Sequence, residues 1–313
     1  MKAISTDGLS KHYGKAIALD NLTLDVPENV VFGFLGPNGA GKTTTIKLLT
    51  GFSRPTAGRA WVAGEEIGDG NLNVRAKTGL LPDVPAFYEW MSGREFLHMV
   101  GEFFRLPGTE IKRRTEELLE LVDLKKAADR RIGGYSRGMK QRLGIAQALF
   151  NHPKVLFLDE PTSALDPIGR REVLTLIKQL KQHTSVFMST HILSDVERVC
   201  DAVAIINKGK LVTVSSIEAL RAKYARSTFE IECLEDSTNF AEKLKHISYL
   251  SDPEVVVESG TQLLKVRALD IQQARSQLPR LIAESGLTLS RYEFSLPNLE
   301  DIFVEVVNGG YAK

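Results

Sequence analysis

The chain has 313 residues, with 40 lysines and arginines against 39 aspartates and glutamates, for a formal net charge of +1. That length suits one large domain or two moderate ones, and 43% hydrophobic with 25% charged residues is the composition of a globular protein, which excludes a disordered or fibrous chain. The charge balance gives no electrostatic reason to expect nucleic-acid wrapping or binding to an anionic membrane surface, and no run approaches the ~18 apolar residues of a spanning helix. The opening Met1-Lys2-Ala3-Ile4-Ser5-Thr6-Asp7 lacks the apolar core of a secretion signal. The two cysteines, Cys200 and Cys233, fit no zinc or redox spacing and read as reduced thiols of an intracellular protein.

Along the chain, residues 22–26 alternate as a strand, and 30–35 form a short apolar run that enters a tight Gly36-Pro37-Asn38-Gly39 loop. A helix over 43–49 follows and is stopped by Gly51 and Pro55. Apolar residues at three- and four-residue spacing predict helices over 94–104, 111–122 and 139–150, so that about 91–150 is a helical region. Residues 155–158 return to buried strand, 170–182 form an amphipathic helix, and 185–189, 203–206 and 211–214 are further strands. Strands alternating with helices predict an α/β fold around a largely parallel sheet covered on both faces. After about Tyr224 the pattern changes to strand (228–233), helix (240–247), strand (254–258), a Gly260-Thr261 turn, strand (263–267), helix (271–284), strand (288–294) and a last helix (299–307). This β-α-β-β-α-β order is that of a small ferredoxin-like unit.

Gly36-Pro37-Asn38-Gly39-Ala40-Gly41-Lys42-Thr43, extended by Thr44, follows the P-loop pattern. A polyphosphate must approach several backbone N–H groups closely, and glycines leave room for it. The helix that starts near Lys42 points its positive end at the phosphates. Lys42 supplies a cation for the β- and γ-phosphates, and the Thr43 hydroxyl can ligate Mg²⁺.

The second element is Val155-Leu156-Phe157-Leu158-Asp159-Glu160, an apolar strand ending in two acids. The carboxyl end of a parallel strand is where such sheets bind ligands. Asp159 is suited to hold Mg²⁺ through its water shell, and Glu160 to orient or deprotonate the water that attacks the γ-phosphate.

Three further segments narrow the family. Tyr135-Ser136-Arg137-Gly138-Met139-Lys140-Gln141-Arg142 precedes the acidic pair, Ser163-Ala164-Leu165-Asp166 follows it, and His191 comes after the strand Val186-Phe187-Met188-Ser189. With these in order, residues 1–224 resemble the ATP-binding-cassette (ABC) family. The resemblance implies a P-loop NTPase cassette with a RecA-like parallel core, an antiparallel β subdomain and an α-helical signature subdomain, followed by an α+β appendage over 225–313. It implies ATP and Mg²⁺ as ligands and a head-to-tail pair of cassettes, with a homodimer expected and pairing with a different cassette left open. Ser136, Arg137, Gly138 and Met139 would face the γ-phosphate held by the other cassette, and Asp166 would lie at the interface between them. His191 would be the switch residue on the γ-phosphate, and Tyr13, in Lys11-His12-Tyr13-Gly14, would stack on adenine.

Two positions depart from the family pattern. Arg137 stands where the usual Leu-Ser-Gly-Gly-Gln signature has its first glycine, which tightens backbone approach there. Asp83, in Leu81-Pro82-Asp83-Val84-Pro85, stands in place of the Mg²⁺-contacting glutamine; its shorter side chain calls for an intervening water. Both departures resemble the branch that serves ABC-2-type exporters, including drug- and antibiotic-resistance exporters, as does Ser295-Leu296-Pro297-Asn298-Leu299-Glu300-Asp301-Ile302-Phe303 near the C-terminus. The resemblance implies an ATPase peripheral to the cytoplasmic face of a membrane, acting through separate multi-spanning permease subunits. Phe87-Tyr88-Glu89-Trp90-Met91 is a candidate groove for a helix of such a subunit. A cassette acting on ribosomes or DNA fits less well: translation factors of the family carry two cassettes per chain, and chromosome and repair members insert a coiled coil or zinc cysteines where 51–134 is short and free of Cys. A P-loop kinase leaves the signature segment and His191 unexplained.

Overall fold

The computed structural model describes residues 1–68, 72–163, 165–223, 228–258, 261–295 and 303. Contacts divide the chain into two units, 1–217 and 218–313.

The first unit opens with a long antiparallel hairpin, β1 (Lys2–Tyr13) and β2 (Ala16–Pro27), turned at Gly14 with φ 59°. Next come β3 (Val31–Leu35), α1 (Lys42–Leu49), β4 (Ala57–Val62), β5 (Glu65–Glu66), α2 (Leu72–Lys77) and β6 (Thr78–Leu81). The helical region holds α3 (Gly93–Phe103), α4 (Gly108–Leu121) and α5 (Arg137–Ala148). The unit finishes with β7 (Val155–Asp159), α6 (Pro167–Leu180), β8 (Ser185–Thr190), α7 (Leu193–Val199), β9 (Ala202–Asn207) and β10 (Lys210–Ser216), and α8 (Ile217–Lys223) runs across the division between the units.

Two sheets organise these elements. One is antiparallel, in the order β2-β1-β4-β5; the other has the order β10-β9-β3-β8-β7-β6 and is parallel from β9 to β6, with β10 antiparallel at its edge. Every residue of β3, β7 and β8 is buried, which explains the apolar runs at their centres. Phe32, Phe34, Phe157 and Phe187 project from this sheet into a core shared with Ile46, Leu48 and Leu49 of α1 and with Leu9, Leu19, Leu22 and Leu24 of the hairpin. The other face takes the later helices: a Cβ at Gly33 would lie 3.0 Å from Cys200 Sγ and 3.2 Å from Val196 of α7.

The sequence pattern identifies only part of β2 and misses β1. The register between them shifts at several points from Lys2 to His12, so no single alternation of apolar residues runs through β1. In the helical region α3 starts with a reciprocal cap: Ser92 Oγ accepts from Glu95 N–H at 3.2 Å, and the Glu95 carboxylate accepts from Ser92 N–H at 2.8 Å. Such a cap contributes about 1 kcal/mol.

The second unit is β11 (Thr228–Cys233), α9 (Thr238–Leu244), β12 (Leu250–Glu258), β13 (Thr261–Ala268), α10 (Ile271–Ser285) and β14 (Leu289–Ser295), in one antiparallel sheet ordered β12-β13-β11-β14. This is the ferredoxin-like order, with β11 and β13 central. Phe229, Ile231, Leu264 and Val266 pack on Phe240 and Leu244 of α9 and on Ala274, Leu278 and Ile282 of α10. The alternate positions carry charge: Glu230 sits between Lys265 and Glu293, and Glu232 opposite Arg291. The helix expected over 299–307 lies outside the described residues, Phe303 apart, as do residues 296–302 of the C-terminal segment that resembles the exporter branch. Among the described residues no helix is long and apolar enough to cross a membrane.

Both cysteines are free and buried. Burial, reinforced by Asp201 and Asp195, pushes the Cys200 thiol far above its ordinary range, and burial with Glu235 raises Cys233. Since the thiolate is the reacting species, neither cysteine should be alkylated by iodoacetamide at neutral pH until the chain is unfolded. Mass spectrometry reads this directly, and fast labelling of the native protein would contradict it.

Candidate active site

Strands β3, β8, β7 and β6 are adjacent and parallel, so the segments that follow them emerge along one edge of the sheet. That edge therefore collects the P-loop after β3, His191 after β8, Glu160 after β7 and Asp83 after β6, which are up to 155 residues apart in sequence (191 minus 36).

Two P-loop glycines are required by the protein's own packing. A Cβ on Gly36 would stand 2.4 Å from Ile206 O, and one on Gly41 2.4 Å from Ala18 O, with Gly41 at φ +106°. Gly41 is the N-cap of α1, and no side chain caps that helix end. Its first-turn N–H groups are thus oriented for an anion. Lys42 is 6% exposed, and its Nζ donates to Gly36 O at 2.8 Å and Pro37 O at 3.2 Å.

The same ammonium lies 3.2 Å from Glu160 Oε1, while Glu160 Oε2 meets His191 Nδ1 at 2.9 Å. Glu160 is therefore a buried carboxylate bridged between the P-loop lysine and the histidine. Its backbone is left-handed, φ 47°, a conformation disfavoured for a side-chain-bearing residue and found where surroundings enforce it. The enforcement comes from β8: Glu160 N–H donates to Ser189 O at 3.1 Å and reaches Ser189 Oγ at 3.3 Å. The Ser189 hydroxyl in turn donates to Asp159 Oδ1 at 2.5 Å, across the direct Asp159–Ser189 register of β7 and β8. Ser189 is a site residue that sequence reasoning misses; the only signal is a hydroxyl inside the buried run Ser185–Thr190, two positions before His191.

A cleft of about 250 Å³ opens at this edge, lined by Ala18, Asn38, Gly39, Gly41, Lys42, Thr43, Thr44, Asp83 and Glu160. Asp159 lies beneath it, 3% exposed. Thr43 and Asp83 line the cleft together, and a hydroxyl with one or two carboxylates is the kind of hard-oxygen donor that Mg²⁺ takes alongside phosphate oxygens. Among the described residues no group of three or more His, Cys, Asp or Glu could by itself hold a metal ion.

The remaining expected residues lie outside the cleft lining. Tyr13 is 51% exposed at the hairpin tip, with Lys11 Nζ 5.0 Å from its ring centre. Ser136 caps α5 by accepting from Met139 N–H at 3.2 Å, which places Arg137, Gly138 and Met139 in the first turn. Asp166 caps α6 by accepting from Gly169 N–H at 3.1 Å, ahead of Pro167 at the first helical position. Within Phe87–Met91 the side chains divide. Phe87 and Tyr88 line a groove of about 510 Å³ with Phe96, Met99, Phe103 and Phe104, whereas Met91 is 8% exposed and belongs to the core.

The fold and the site together define a P-loop ATPase cassette. The ABC transporter family pattern matches residues 19–163, and that of the C-terminal domain of DrrA1-3-like ATP-binding proteins matches 216–307. The chain is 40% identical to the uncharacterized ABC transporter ATP-binding protein YxlF of Bacillus subtilis, over 97% of this chain and 99% of that one. It is 36% identical to the bacitracin transport ATP-binding protein BcrA of Bacillus licheniformis, over 98% of each. A solved ATP-binding subunit of an ABC transporter superposes with TM-score 0.63 at 29% identity, covering 71% of this chain and 93% of its own. The chain belongs to the ABC transporter family and is one of its ATP-binding, ATP-hydrolysing subunits.

Asp83 offers a test of the site's electrostatics. Burial, and then the Asp159 and Glu160 carboxylates, push its carboxyl above the ordinary range, against smaller relief from Arg137 and His191. An acid raised by folding favours the folded state while protonated and loses that contribution as pH rises through its folded value. Asp83→Asn should therefore melt higher than the wild type at neutral pH without nucleotide, and the gap should close in acid. Equal midpoints at neutral pH, or a gap that widens in acid, would contradict this origin of the shift.

Proposed function

We propose that this chain drives export through separate membrane subunits by an ATP-dependent closure of two identical cassettes. The observation that carries the catalytic part is Glu160, held at the mouth of the P-loop cleft between Lys42 and His191. ATP phosphates are taken up by the residues 36–44 loop, with Lys42 on the β- and γ-phosphates and Tyr13 stacking on adenine. Thr43, Asp159 and Asp83 would hold Mg²⁺, which would supply positive charge beside the phosphate oxygens. Glu160 orients a water and takes its proton as the water oxygen attacks the γ-phosphorus; the bond to the bridging oxygen breaks, and ADP and phosphate leave. His191 holds the γ-phosphate from the β8 side.

Ser136, Arg137, Gly138 and Met139 lie outside this cleft, at a helix N-terminus suited to an anion. That placement supports their use on the nucleotide of a second copy, with Asp166 at the interface between copies. The groove formed by Phe87, Tyr88, Phe96, Met99, Phe103 and Phe104 supports a contact with a helix of the membrane subunit, since Phe103 and Tyr88 stand 75% and 53% exposed there. Export, rather than import, is the direction favoured by the DrrA-like C-terminal domain and by near full-length similarity to a bacitracin transport ATP-binding protein. On this reading the chain is peripheral to the cytoplasmic face of the membrane, with 1–224 as the cassette and the remainder as an appendage that supports packing.

Two substitutions separate binding from chemistry. Lys42→Ala should abolish tight ATP binding in an equilibrium titration, and unchanged affinity would remove the P-loop assignment. Glu160→Gln should bind ATP normally while turnover falls ~10²-fold or more, the scale expected of a lost general base. Hydrolysis at the wild-type rate in that variant would assign the role to another group.

A further inference from the structure

Below the nucleotide edge lies a second buried polar cluster that the hydrolytic residues do not use. Asp195, in the first turn of α7, is 1% exposed. Its Oδ2 accepts the Thr162 hydroxyl, and its Oδ1 accepts Arg170 Nε at 2.6 Å. Arg170 also donates through Nη2 to Ser194 Oγ at 2.7 Å. A carboxylate at this depth is costly unless paired and hydrogen-bonded, and here both oxygens are engaged by strong donors.

What matters is which segments those partners belong to. Thr162 lies in the connection from β7 to α6, two residues after Glu160, and Arg170 lies near the start of α6, four residues after the cap Asp166. Asp195 belongs to the connection from β8 to β9, four residues after His191, and the chain between is short and bonded, with Ile192 N–H donating to Thr190 Oγ1 at 3.0 Å and Asp195 N–H to Ile192 O at 3.2 Å. Among the described residues the two segments are joined at Glu160–His191 and again through Asp195 and Ser194. The first contact is between groups that must engage ATP; the second is made of residues that do not.

We propose that Asp195 is a positioning residue that makes the β7–α6 connection and His191 move as one piece, so that a second cassette pressing on Asp166 sets the histidine against the γ-phosphate. This rests on the reading above, in which Asp166 meets a second copy and His191 the nucleotide. Asp195→Asn keeps the size of the side chain but removes the charge that faces Arg170 and turns the acceptor facing Thr162 into a donor, so the ion pair is lost and the Thr162 hydroxyl must reverse from donor to acceptor.

The test uses the purified full chain, with steady-state ATPase kinetics and equilibrium binding of a fluorescent ATP analogue. Asp195→Asn should lower kcat by about 10- to 100-fold, the scale of a misplaced catalytic group, with nucleotide affinity unchanged. Placed in a His191→Ala background it should add no further loss, because it acts through that histidine. Unchanged kcat, a multiplicative loss in the double variant, or a parallel fall in nucleotide affinity would overturn the proposal. Should Asp195→Asn not fold, Thr162→Val leaves the Asp195–Arg170 pair in place and should give a smaller kcat loss with the same non-additivity; a multiplicative loss there overturns it equally. Wild-type turnover abolished by Glu160→Gln, alongside a silent Asp195→Asn, would sink this inference alone. Absence of Glu160-dependent turnover in the wild type would instead sink the reading on which it rests.

Discussion

The arrangement depends on one buried carboxylate. Glu160 is anchored on one oxygen by Lys42 and on the other by His191, and it is fixed in a left-handed backbone by the Ser189 carbonyl and hydroxyl. Removing a charge from water is expensive, and only close partners recover it. Those partners arrive from β3, β7 and β8, so the site exists only if these three strands lie side by side and end on one level. The parallel sheet supplies that condition, and the phenylalanine core beneath it, Phe32, Phe34, Phe157 and Phe187, holds the strands in register.

At the level of the site, polar groups buried in and beside this largely apolar sheet are paired. Asp159 is accommodated by Ser189, and Asp195 by Thr162 and Arg170. Each acceptor faces a donor on a neighbouring connection, which links the segments after β7 and β8 by hydrogen bonds as well as by packing. A change in the position of one connection is therefore transmitted to the other without passing through the nucleotide.

The residues that line the cleft were largely legible, because phosphate binding restricts both residue type and spacing. Lys42, Thr43 and Glu160 could be located by motif alone, and the structure brings them with Asp83 into one cleft. The residues that hold them in place were not legible. Ser189, Thr162, Arg170 and Asp195 meet partners 25 to 33 positions away in sequence, and an ordinary serine or aspartate carries no periodic signal. The P-loop glycines were read as leaving room for phosphate, whereas Gly36 and Gly41 also make room for the carbonyls of Ile206 and Ala18, contacts that need the folded chain to be seen. Strand β1 was hidden by its register shifts, and Met91, grouped with exposed neighbours by its place in an aromatic run, is core. In the second unit the alternation of Thr228–Cys233 was enough to find β11 to the residue, because one face packs on helices and the other is charged.

The central claim is that hydrolysis at this site works a separate membrane protein. The most direct measurement is affinity capture of a tagged Glu160→Gln chain from detergent-solubilised membranes of its own cells in Mg·ATP, with mass spectrometry of what accompanies it. The account predicts a multi-spanning polypeptide in stoichiometric amount, and its loss when Phe103 in the exposed groove is replaced by aspartate. Recovery of ribosomes, DNA-bound proteins or a complex free of membrane polypeptides would contradict it.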